Sequence, residues 1–272
     1  MRYFDPKNDF AFKKLFHEKD LLICFLNSVL RLKGGLKDER EIQDLQYLLE
    51  DEAPALPMDK RCVVDVRCQD HAGHQFIVEM QNQTIPEFAQ RIQYYLAKGY
   101  MDQLSRGQEY AVLKPVILLV IVNETLFAAK DDYLHYHSML DTKTLENDLK
   151  DLSVAFVELS KFKKSAEECK SLEDQWFYFF KYAMKENDPP FQEKHLLRAY
   201  HVMEQFRWTP YEQNEYIKVK LHMESGALAQ EKKYKEGIEE GKKEGKRQRI
   251  IEAMRAQGLS EDVIQKVVEA QG

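Results

Sequence analysis

"VVDVRCQDHAGHQFIVEMQNQ" (residues 63–83) alternates apolar and polar side chains on both sides of a short polar turn. A period of two marks a half-buried strand, so the stretch reads as a hairpin with strands over about 61–69 and 74–81. If Asp70 faces His74, the loop is His71-Ala72-Gly73, with glycine at its last position, where such a loop requires positive φ. That register sets Asp65 opposite Glu79. Strand side chains alternate in direction, so Asp65, Glu79 and Gln81 emerge on one face. Val64, Val66, Phe76, Val78 and Met80 emerge on the other. Two carboxylates directly opposed on paired strands repel each other and weaken the pairing. A divalent cation between them reverses that sign, because Mg²⁺ takes a few carboxylate oxygens and keeps several waters. An ion so held polarises a phosphoryl oxygen and activates a water. The competing reading is a solvated face on which Arg67 neutralises Asp65 or Glu79. The register decides between chemistries, since a slip of one residue turns every side chain over.

Outward from the hairpin, the chain of 272 residues suits one domain with an appendage. With 44% hydrophobic and 32% charged residues it has material for a real core under a highly charged surface. The formal net charge of −6 excludes a global positive field, so contact with nucleic acid requires a local basic patch. Cys24, Cys62, Cys68 and Cys169 form no CxxC pair, and the N-terminus lacks a signal-peptide pattern. These features predict a reduced, cytoplasmic protein. The longest apolar run, "VILLVIV" (116–122), is far short of the roughly 20 residues that span a bilayer. It predicts a buried strand and no membrane partner.

Before the hairpin, Asn8 or Asp9 is the N-cap of a first helix carrying Phe10, Phe12, Leu15 and Phe16. A second helix over 20–30 is stopped by Gly34 and Gly35. Residues 41–50 favour a strand, with helix as the alternative. After the hairpin comes an amphipathic helix over about 86–105, with Pro86 in its first turn. Strands at 115–122 and 153–159 follow, then helices from about 171 onward. Beyond Gly226 the tail is charged and helical, with Gly237, Gly241 and Gly245 at every fourth position. The order predicts a mixed α/β core followed by a helical C-terminal half.

"DVRCQDHAGHQFIVEMQ" resembles the central motif of the PD-(D/E)XK nuclease superfamily, and more narrowly the recombination-promoting nuclease / putative transposase family of bacteria. "DPKNDFAFKKLF" (5–16), "DKRCVVDV" (59–66), "VEMQ" (78–81), Arg91 with Tyr94-Tyr95, "VAFVELSKF" (154–162) and the glycine-spaced tail ending "GLSEDVIQKVVE" extend the resemblance over nearly the whole chain. It implies a restriction-endonuclease-like αβββαβ core, a mixed central sheet flanked by helices, with a helical C-terminal region and a charged helical tail. The corresponding domains are a nuclease core over 1–165, a helical region packed on it over 166–225, and the tail over 226–272. The implied activity is Mg²⁺-dependent DNA endonuclease chemistry, with Mn²⁺ able to substitute, in recombination, mobile-element activity or defence against foreign DNA. By the same correspondence Asp65, Glu79 and the Met80 carbonyl are metal ligands, and Asp9 is an acidic residue brought near the metal. Gln81 occupies the position of the motif's lysine, a departure from the superfamily pattern: glutamine orients a water by hydrogen bonding but brings no positive charge. Lys60 is the nearest replacement candidate, although five residues of regular strand before Asp65 point it to the opposite face, where it reads as a solvated charge.

Arg91 is a candidate phosphate contact, with an i−4 pair to Glu87 as the alternative. Tyr94 and Tyr95 read as core aromatics. The tail segment 232–249 carries a local charge of +4, which makes Lys242, Lys243, Lys246 and Arg247 candidates for DNA phosphates. Its glycines and charges also suit self-association, so a homodimer is expected. The alternative is a nuclease-fold protein of little catalytic power that binds DNA or itself through the tail. "HYH" (135–137) and the pair His71/His74 are weak metal candidates. No HExxH, Walker, GxGxxG or GxSxG motif is present.

Overall fold

The computed structural model describes residues 2–30, 41–48, 64–83 and 87–256. Six strands form one sheet in the order β1-β2-β3-β4-β6-β5. They are β1 (Leu45–Tyr47), β2 (Val66–Asp70), β3 (Gln75–Gln81), β4 (Val116–Val122), β5 (Leu134–Ser138) and β6 (Leu152–Glu158). β1, β2 and β3 pair antiparallel, β3, β4 and β6 run parallel, and β5 returns antiparallel to β6. The helices are α1 (Asp9–Phe16), α2 (Lys19–Val29), α3 (Phe88–Met101), α4 (Leu172–Tyr182), α5 (Lys194–Met203) and α6 (Pro210–Ala256). This is a mixed α/β fold, a six-stranded mixed sheet flanked by helices, as expected. The chain divides into compact units at Met1–Val219 and Lys220–Gly272. Among the described residues no helix is long and apolar enough to cross a membrane.

The sheet is covered on both faces, which is why β4 is apolar without alternation. On one face Val66, Cys68, Phe76, Val78 and Met80 join residues of α1, α2, α4 and α5 in the larger core. At its centre Phe16, Phe25, Trp176 and Phe180 pack ring against ring. Because this core draws on residues from Tyr3 to Tyr216, the C-terminal helices and the sheet share it. On the other face Ile77, Val116, Leu118 and Val120 pack against Phe88, Ile92, Tyr95 and Leu96 of α3. Gly99 lets α3 close on the sheet: a Cβ there would lie 2.9 Å from Ile77 Cδ1.

The hairpin register is the expected one, with Val66 opposite Val78 and Gln69 opposite Gln75. Gly73 takes φ +86°, and Asp70 closes the loop by accepting from the N–H groups of Ala72 and His74, both at 2.9 Å. Among the described residues the first strand begins at Val66, and the part expected over 61–63 lies outside them. The chain bends at Asp65, so Val64 leaves the face of Val66 and joins Ile77 in the α3-side core. β1 is a strand, as favoured, and β5, at the opposite edge of the sheet, is an addition. "LHYHS" is too polar to read as a strand, yet it lies on the sheet edge, where one face meets water. The expected helix break at Gly34-Gly35, and Pro86, lie outside the described residues.

Candidate active site

Asn8, rather than Asp9, caps α1, its side-chain oxygen accepting from the N–H groups of Phe10 and Ala11 at 3.1 and 3.3 Å. Asp9 is thereby the first helical residue, exposed at the end of α1. Its charge contributes to holding the Glu79 carboxyl up, so α1 delivers Asp9 to the hairpin. The Met80 N–H donates to Asp65 Oδ2 at 2.8 Å, which fixes the Asp65 side chain at the end of β2 against β3. In an antiparallel pair the N–H and C=O of one residue point the same way, so the Met80 carbonyl also faces the Asp65 side.

Glu79 is 7% exposed, in the middle of the sheet, opposite Val120 of β4. Its neighbours on that face are the apolar residues under α3. Burial and then the Asp65 charge push its carboxyl up to about 8, Arg91 and the Asp65 N–H opposing and Asp9 adding. One carboxylate oxygen faces Arg91 Nη2 at 3.4 Å, while the other, Oε2, is buried without a hydrogen-bond partner among the described residues. An unmatched buried carboxylate oxygen is expensive to keep, on the order of 1–3 kcal/mol or more when charged.

Arg91 does not pair side chain to side chain with Glu87. It projects from α3 towards the hairpin, donates to Gln81 Oε1 at 2.5 Å, and lies over the rings of Phe88 and Tyr95. Gln81 is thus held at both ends, its amide nitrogen donating to the Gln83 carbonyl at 2.5 Å. Arg67, the neutraliser in the competing reading, donates to Gln75 Oε1 at 3.1 Å and lies 3.7 Å from Asp102 Oδ2. Tyr95 is buried and Tyr94 is 40% exposed.

The structure therefore gathers Asp65, Glu79, Met80, Gln81 and Arg91 at one end of the hairpin, with Asp9 in electrostatic reach. Lys60 and the side chains of Lys243, Lys246 and Arg247 lie outside the described residues. Lys242 is exposed on α6. Asn82, which no motif marks, ties the hairpin to the segment before α1 by donating to the Lys7 carbonyl at 2.5 Å. Its only sequence signal is its place directly after Gln81. The other histidine candidates have neighbours of their own: His74 Nδ1 lies 3.0 Å from Asp70 Oδ2, and His135 and His137 flank Phe127.

A helix-flanked mixed sheet, with acidic residues on an antiparallel hairpin that continues into parallel strands, defines the restriction-endonuclease-like nuclease class. The family model for the PD-(D/E)XK nuclease family transposase matches residues 6–225, and the chain belongs to that family. No curated protein and no solved structure gives a significant match to the chain.

Proposed function

We propose that the protein is a divalent-metal-dependent DNA endonuclease whose centre is Asp65 and Glu79. The observation that carries this reading is Glu79: a buried carboxyl, beside two other acidic residues, with one oxygen that nothing satisfies. The nearby donors are all oxygen, the set that Mg²⁺ prefers and Mn²⁺ accepts. Asp65, Glu79 and the Met80 carbonyl would hold the ion, and Asp9 would add negative charge at its rim. Bound there, such an ion supplies Lewis-acid polarisation of the scissile phosphate and a water of lowered pKa.

The remaining chemistry falls to Arg91 and Gln81. Arg91 brings to the site the positive charge that Gln81 lacks. A guanidinium suits a phosphate's paired oxygens better than an ammonium does. Gln81 acts through Arg91, as the acceptor that holds the guanidinium beside Glu79. Phe88 and Tyr95 under the guanidinium limit its hydration and fix its plane. Lys60, Lys242, Lys243, Lys246 and Arg247 are proposed contacts to the DNA backbone. The tail is proposed to support a homodimer suited to cutting both strands. The setting is a cytoplasmic one: recombination, mobile-element activity or defence against foreign DNA.

The test is nicking of supercoiled plasmid by the purified chain with Mg²⁺, Mn²⁺ or EDTA, beside Asp65→Ala. Cleavage that needs metal and disappears in Asp65→Ala supports the reading. Cleavage that survives the substitution, or fails with every metal, overturns it. One observation favours a second reading, a weak nuclease that binds DNA or itself: both polar ends of Gln81 are already engaged. Metal-independent DNA binding without cleavage is its signature.

A further inference from the structure

Away from the hairpin, a second set of ligand-bearing side chains meets where α2 passes the start of α5. Cys24 lies on α2 and is half-buried. Glu193 is the N-cap of α5, and His195 stands in its first turn. One ligand atom from each of the three lies within 4.8 Å of the others. They edge a cavity of about 610 Å³ into which Asp20 also projects. Asp20 is exposed and precedes Cys24 by four residues, so both stand on one face of α2.

We propose that Cys24, Glu193 and His195 bind a borderline-soft divalent cation of the Zn²⁺ class, with a further position open to the cavity and to Asp20. A thiolate, an imidazole nitrogen and a carboxylate are a Zn²⁺ donor set, and they differ in kind from the all-oxygen set at the hairpin. A helix N-terminus ordinarily repels a cation. Here Glu193 has already answered it. Its Oε2 accepts from the N–H groups of His195 and Leu196 at 2.6 and 3.0 Å, which leaves Oε1 turned to the ligand side, 2.9 Å from His195 Nδ1. On binding, the Cys24 thiol gives its proton to solvent and a ring nitrogen of His195 presents its lone pair, so affinity falls as pH is lowered. The ligands come from positions more than 160 residues apart in the chain. The ion would therefore pin α2 to α5, two helices that share the larger core.

The experiment is a Co²⁺ titration of the reduced, metal-stripped full chain, followed by absorption. The expected result is a thiolate-to-cobalt band in the near ultraviolet, saturating at one equivalent and displaced by Zn²⁺ but not by a large excess of Mg²⁺. The band should persist in Asp65→Ala, which separates this site from the nuclease reading, and vanish in Cys24→Ser. No band in the native chain, or one that survives Cys24→Ser, overturns the proposal, the latter by assigning the ion to another cysteine. Should Cys24→Ser lose its fold by circular dichroism, His195→Gln carries the decision. About tenfold or greater weakening is expected there, and unchanged affinity overturns the site.

Discussion

Two buried glutamates lie near the carboxyl ends of β3 and β6, parallel strands on either side of β4, and their surroundings are opposite. Glu158, the last residue of β6, is fully buried. Its Oε1 accepts from the N–H groups of Leu126 and Phe127 at 2.5 and 2.9 Å. Its Oε2 meets Lys161 Nζ at 2.7 Å, with His135 Nε2 3.1 Å away. Burial works to raise its pKa, yet Lys161 and the two N–H groups hold it below the ordinary carboxylate value. Glu79, on the same face of the sheet, keeps one oxygen unmatched and is pushed up to about 8. The first is a carboxylate whose charge is used to fasten the segment between β4 and β5. The second is a carboxylate answered only in part, by Arg91 at 3.4 Å and the Asp65 N–H, with one oxygen left unmatched, as a ligand awaiting an ion would be.

Substitutions separate the two. The largest effect is expected on chemistry: Glu79→Gln lowers metal-dependent plasmid cleavage on the order of 10³-fold, while Glu158→Gln molecules that remain folded cleave nearly as the native chain does. Next comes stability. Glu158→Gln leaves Lys161 without its charge partner and lowers unfolding free energy by about 3 kcal/mol in urea melts. Glu79→Gln moves the other way: metal-free at pH 8, it is more stable than the native chain by on the order of 2 kcal/mol. A native chain as stable as the variant under those conditions would contradict the Glu79 account.

The pH dependence has a definite sign. The folded pKa of Glu79 lies above the unfolded one, so its stabilising protonated form is intact below about 4.5 and is lost as pH rises to about 8. Metal-free Tm should therefore slope downward across that window, and the slope should flatten in Glu79→Gln. Proton and cation compete for the same carboxylate. Apparent Mg²⁺ affinity by calorimetry is thus expected to rise up to about tenfold per pH unit until pH 8. The smallest effect belongs to a site remote from both glutamates. Leu145 is exposed with φ 60°, and Leu145→Gly is expected to stabilise by about 1 kcal/mol through relief of that conformation. Cleavage should not change.

The sequence made the hairpin legible because two signals agreed: alternation on both strands, and a loop closing on Gly73. From these the register and the shared face of Glu79 and Gln81 follow. What it hid was the end of the regularity. Nothing local announces the bend at Asp65, so Val64 was expected on the wrong face. Of the two readings of Arg91, the alternative pair with Glu87 is not taken: i−4 spacing is visible in a sequence, whereas the reach from α3 back to Gln81 is a matter of how the helix docks. Glu158 was invisible as a buried charge, since "FVEL" reads equally well as a strand reaching water. β5 was missed for its polarity, two histidines in five residues.

Gly99 in α3 gives that docking a mechanical meaning. A glycine inside a helix loses about 1 kcal/mol against alanine, and here it permits the contact with Ile77. Arg91 stands eight residues earlier on the same rod, roughly 12 Å away at 1.5 Å per residue. With its far end seated on the sheet, α3 behaves as a lever. A side chain at position 99 that tilted the rod by only about 5° would swing the Arg91 end by about 1 Å over that length. That is enough to part the guanidinium from Gln81. The tolerance of the candidate chemistry is thus set by a residue that carries no functional group at all.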